Sequence, residues 1–92
     1  MSPQGRDYQG TVSRTQGGLQ CQRWDSQSPH SHAYTSASVP DASLSAAENY
    51  CRNAELSEAW PWCYTVDWAT RWDYCPFFEL ICDECFSKLH LV

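Results

Sequence analysis

Cysteines stand at positions 21, 51, 63, 75, 82 and 85, and they offer the most chemistry in the chain. Three uses are open to them. As disulfides they would staple a domain too small to rely on burial alone, although spacing does not choose among the fifteen pairings that six cysteines allow. As zinc ligands, Cys82-x-x-Cys85 has half-site spacing, with His30 and His32 to complete a tetrahedral centre. As a redox pair, Cys82 and Cys85 would need a surrounding βαβ pattern, and none is visible. No second Cys-x-x-Cys exists, so the expectation is a disulfide scaffold with no metal and no cofactor. Ser, His and Asp all occur, but a catalytic triad needs its base and nucleophile locked within about 3 Å. There is no Gly-x-Ser-x-Gly and no helical stretch to build an oxyanion hole, so no enzyme is expected.

The elements that would position these residues are short. Residues 1–20 are polar and broken by Gly5, Gly10, Gly17 and Gly18. Thr11 to Thr15 alternates as a strand would, with Gly17-Gly18 as its turn. Residues 36–47, rich in Ser and Ala with Pro40, read as a surface loop. Tyr64-Thr65-Val66 and Arg71 to Tyr74 read as two arms of a hairpin turning over Asp67 to Thr70. No segment of ten or more residues has a helical period. The 92 residues make one domain at most, 42% hydrophobic and 18% charged. Six Lys and Arg against eleven Asp and Glu give a net charge of −5, which argues against a nucleic-acid partner. Apolar runs such as Cys75 to Phe78 fall far short of the roughly 20 residues of a membrane span, so no membrane insertion is expected. Met1 to Asp7 has no apolar leader, which leads us to expect a fragment of a longer secreted parent.

Four motifs then occur in order: Cys21-Gln22-Arg23-Trp24 running to His30-Ser31-His32, Glu48-Asn49-Tyr50-Cys51-Arg52-Asn53, Pro61-Trp62-Cys63-Tyr64-Thr65, and Arg71-Trp72-Asp73-Tyr74-Cys75. Together with Arg6 to Thr11 they resemble the kringle family. The resemblance implies a small disulfide-rich fold of short antiparallel β-hairpins and long loops around two interlocked disulfides. It implies the pairs Cys21 with Cys63 and Cys51 with Cys75, and a structural role for His30 and His32. Trp24, Leu44 and Tyr50 are expected to pack around those bridges. The family's first cysteine has no counterpart, so residues 1–82 are expected to form an N-terminally truncated kringle, with 83–92 a tail of unknown origin. Cys82 is left without its family partner. It bonds Cys85, stays free, or forms an intermolecular disulfide, and the last is equally open to Cys85.

The resemblance also implies a secreted binding module that recognises lysine side chains on partner proteins, C-terminal ones above all. A methylene chain needs a flat apolar trough, its ammonium needs a carboxylate, and a ligand carboxylate needs a cation. The trough falls on Trp62, Tyr64 and Trp72, and the cation on Arg71. The anionic pair falls on Glu55 and Ser57, with Glu58 adjacent, and a second cation position falls on Tyr34. One family acid is therefore lost, and a weakened lysine site is expected. Trp60 and Trp68 stand where the family carries small or turn residues. They are either idle exposed rings or an apolar patch for a protein partner without lysine affinity. The remaining alternative is a truncated fragment with no function of its own.

Overall fold

The computed structural model describes residues 3–82. Cys85 and the tail expected at 83–92 lie outside the described residues. Strand β1 (Trp62–Tyr64) pairs antiparallel with β2 (Trp72–Tyr74), with Trp62 opposite Tyr74 and Tyr64 opposite Trp72. This is the expected hairpin, shifted so that its first arm starts at Trp62. Thr65 instead bridges Cys21. The strand expected at 11–15 is reduced to one bridge, Arg14 to Gln20. The reason lies in its carbonyls, which serve different segments: Val12 accepts from the Cys51 N–H at 2.7 Å and Ser13 from the Cys21 N–H at 3.0 Å. The turn that follows holds Gly18 at φ 89°, where a side chain would be strained.

Cys21–Cys63 and Cys51–Cys75 are both formed, and they cross at the centre of the domain. The sulfurs of Cys21 and Cys51 sit 4.0 Å apart. On chain-entropy grounds each bridge contributes about 3.5–4 kcal/mol for its sequence separation of 42 or 24 residues. That compares with the whole stability of an ordinary small domain. Trp24 is buried against them, edge-on to Trp62 at 5.2 Å, and its Nε1–H donates to the Tyr50 carbonyl at 2.7 Å. Leu44 and Val12 close the periphery of this core.

Arg52 is a second centre of order and is only 1% exposed. Its Nε and Nη2 donate to both Asp41 oxygens at 2.8 and 3.0 Å, and Nη1 donates to the carbonyls of Gly10 and Cys51. The guanidinium also lies 5.5 Å from the Tyr8 ring and 5.4 Å from Tyr50. Burial pushes the Asp41 carboxyl upward, but the Arg52 hydrogen bonds and charge, with Gln9, overcome that and hold it below the usual aspartate value.

Residues 77–82 are helical, which the sequence reading did not anticipate. Pro76 opens this turn, where its missing N–H costs nothing, and its carbonyl accepts from Leu80 N–H at 3.1 Å. Leu80 is wholly buried, and Glu79 pairs with Arg14. Phe77 stacks on Trp60 with ring centres 4.5 Å apart. Trp60 is therefore part-buried rather than an idle exposed ring, and its Nε1–H is enclosed with no acceptor among the described residues. Cys82 is exposed and has no disulfide partner among them.

Candidate functional site

The hairpin register places four aromatics together. Side chains two apart on a strand share a face, and directly opposed pairs do too. Trp62, Tyr64, Trp72 and Tyr74 therefore line one face, while Cys63 turns to the other and into its disulfide. Trp62 meets Tyr64 at 5.1 Å and Trp72 at 5.6 Å, both near edge-to-face, and Trp72 meets Tyr74 at 5.3 Å. Trp62, only 3% exposed, is both core and floor, since its other face packs Trp24. Trp72 stands 36% exposed as a wall.

Above this floor lies a cleft of about 140 Å³ lined by Tyr34, Ser57, Glu58, Trp62, Tyr64, Arg71 and Trp72. An apolar cavity of about 150 Å³ accommodates a benzene, so the space suits a slender chain of similar size. Glu58 is positioned through its backbone: its N–H donates to Asn53 Oδ1 at 3.1 Å, and its carbonyl accepts from Asn53 Nδ2 at 2.6 Å and Gln4 Nε2 at 2.9 Å. Asn53 is itself buried and also meets the Trp62 indole N–H. The Glu58 carboxylate accepts one hydrogen bond from the Tyr74 hydroxyl at 3.2 Å. Arg71 donates to the Ser31 carbonyl at 2.9 Å and lays its guanidinium 5.0 Å over the Tyr64 ring.

Five of the six groove residues named from sequence thus line one cleft: Glu58, Trp62, Tyr64, Arg71 and Trp72. Glu55 does not line it. Its carboxylate accepts from the Ser38 hydroxyl at 2.7 Å, and it borders an adjoining hollow with His32, Ala33, Tyr34, Tyr64 and Arg71. The backbone explains the split, because Glu55 and Leu56 both sit at positive φ (55° and 54°) and turn the chain between the two acids. In the sequence, Tyr34 and Ser57 stand only as substitutions at charged positions of the family. Here they join the wall, with the Tyr34 hydroxyl donating to Ser57 Oγ at 3.4 Å.

Burial raises the Tyr64 hydroxyl above the usual phenol value, with Tyr34 adding to the effect. Burial also raises Tyr74, followed by its hydrogen bond to Glu58 and that group's charge. Both phenols therefore stay neutral at physiological pH, and the cleft's formal charges come from Glu58 and Arg71. The histidines are engaged elsewhere. His30 Nε2 meets the Asp67 carbonyl at 2.8 Å, and since a carbonyl only accepts, that nitrogen carries the proton. His32 donates from Nε2 to the Ser26 carbonyl and accepts the Tyr34 N–H at Nδ1, so neither of its nitrogens is left for a metal. The four buried cysteine sulfurs lie within 4.8 Å of one another but are spent in the two bridges.

The geometry defines a small, disulfide-stapled module with an aromatic cleft. The protein-family model described as the kringle domain matches residues 1–80, and the chain belongs to the kringle family. Kringle domains are in general non-catalytic, protein-binding modules, and disulfide-bonded kringles are typical of extracellular proteins. Among the described residues no helix is long and apolar enough to cross a membrane.

Proposed function

We propose that this kringle binds the side chain of a lysine, exposed or C-terminal, on a partner protein, and does so weakly. One observation carries the reading. A carboxylate, Glu58, and a guanidinium, Arg71, line the same cleft over a floor of Trp62, Tyr64 and Trp72. Four methylenes laid on that floor would gain about 3 kcal/mol before ordering costs. An ammonium near the rings adds about 0.5–2 kcal/mol, and Glu58 supplies its counter-charge. Millimolar to micromolar affinity follows. The weakness has structural reasons: Glu55 is committed to Ser38, Ser57 carries no charge, and Arg71 already serves Ser31.

The test is a titration of the oxidised protein with 6-aminohexanoate, followed by tryptophan fluorescence. Saturation in that range, lost in Trp72→Ala, is the expected result. A folded protein that ignores the ligand overturns the lysine reading and leaves a protein-binding kringle without lysine affinity.

A further inference from the structure

Beyond the cleft, the turn between β1 and β2 carries a tryptophan that packing does not account for. Trp68 is 76% exposed, and Val66 on the same turn is 47% exposed. On a mobile loop, binding through this ring would cost the loop's freedom, but this turn is pinned. The Asp67 carbonyl accepts from His30 Nε2 at 2.8 Å and from Thr70 N–H at 3.1 Å. Asp67 N–H donates to Thr65 Oγ1 at 3.1 Å, and Thr65 is wholly buried, with its hydroxyl also meeting the Thr70 carbonyl. Asp67 Oδ1 accepts the amide two residues on, Ala69 N–H, at 2.8 Å. The backbone on either side of Trp68 is thus fixed. An exposed tryptophan on a pinned backbone is well suited to anchor a partner, because the turn's own freedom is already spent and the ring has only two torsions to fix.

Its position relative to the cleft is bounded. Trp68 lies 6.4 Å from the His30 ring, and His30 lies 6.5 Å from Tyr64, which lines the cleft. Those two steps bound the Trp68–Tyr64 separation at about 13 Å, a distance an extended chain covers in about four residues. We infer that Trp68 is a second anchor, taking an apolar side chain of the same polypeptide, about two to four residues from the lysine in the cleft. The inference rests on the lysine reading and adds to it a requirement on the partner's neighbouring sequence.

The probes are acetylated, amidated Gly-Ser peptides holding one lysine, with a single leucine placed one to six residues from it. Wild type and Trp68→Ala are compared, with 6-aminohexanoate as the short ligand that does not reach the turn. Leucine at two to four residues is expected to tighten binding roughly tenfold over the leucine-free peptide. Trp68→Ala abolishes that gain, Trp68→Phe keeps part of it, and 6-aminohexanoate binds all three proteins alike. The inference is overturned if no leucine position helps, if the gain survives Trp68→Ala, or if Trp68→Ala weakens 6-aminohexanoate equally. Failure of 6-aminohexanoate to bind wild type is a separate result that removes the lysine reading, and this inference with it.

Discussion

Two arginines in this small domain each lie against tyrosine rings, yet they do opposite work. Arg52 is enclosed, donates to four oxygens and touches two tyrosines. Arg71 is exposed, donates to the Ser31 carbonyl, and lies over the Tyr64 ring, whose hydroxyl it also meets. The first region is complete in itself: every charge has its counter-charge and nothing is offered outward. The second is incomplete, since the guanidinium retains free donors and shares its cleft with a carboxylate that makes one hydrogen bond. Residue type and aromatic contact are the same in both places, so the difference comes from burial and the count of partners.

Substitution should separate the two regions sharply. Arg52→Ala leaves the Asp41 carboxylate buried and unmatched, and it should cost about 3–5 kcal/mol in denaturant unfolding of the oxidised protein. Arg52→Lys should not restore that loss, because an ammonium cannot reproduce the planar two-pronged contact. A mild phenotype for Arg52→Ala would dissolve the contrast. In the cleft, Glu58→Gln keeps an acceptor for the Tyr74 hydroxyl while deleting the charge. It should leave stability nearly unchanged and weaken 6-aminohexanoate about tenfold, in the range of one charge-assisted hydrogen bond. Unchanged affinity would move the ammonium elsewhere, with Glu55 the next carboxylate to examine.

A smaller effect should appear with acid. Asp41 is held below its ordinary value in the folded state. Its contribution is therefore fully present above the unfolded aspartate value, about pH 3.9, and is lost as the pH falls through the lower folded value. Unfolding free energy measured from pH 5 downward should show this loss, and Asp41→Asn should lack that component of the slope. The smallest effect is expected for Arg71→Ala, whose loss of stability should stay below about 1 kcal/mol, as for an exposed cation over a ring. A cost as large as that of Arg52→Ala would make both arginines structural.

Legibility in the sequence follows the range of the interactions. The hairpin could be read in outline because its cause is local, but its first arm, read as Tyr64 to Val66, lies at Trp62 to Tyr64, where aromatics two apart on each arm share a face. The bridges Cys21–Cys63 and Cys51–Cys75 came only through the family resemblance, as spacing leaves every pairing open. The clamp of Arg52 on Asp41 carried no local signal at all, because it depends on a loop folding back across the domain. The division between Glu55 and Glu58 was equally hidden, since two positive-φ residues decide which acid meets the cleft. The helical turn at 77–82 was missed for another reason. It is too short to show a period, and only Pro76 followed by apolar residues at 77, 80 and 81 betrays it.

The crossing of the two bridges has a further consequence. Cys21–Cys63 spans the first three quarters of the interval from residue 21 to residue 75, and Cys51–Cys75 spans the rest with an overlap. A protease that cuts the chain once anywhere between Cys21 and Cys75 releases nothing, because at least one bridge still joins the two pieces. That holds for the serine-rich loop, for the turn that carries Trp68, and for the segment that carries Glu58. In an extracellular setting crowded with proteases, the module can be nicked and still remain one molecule.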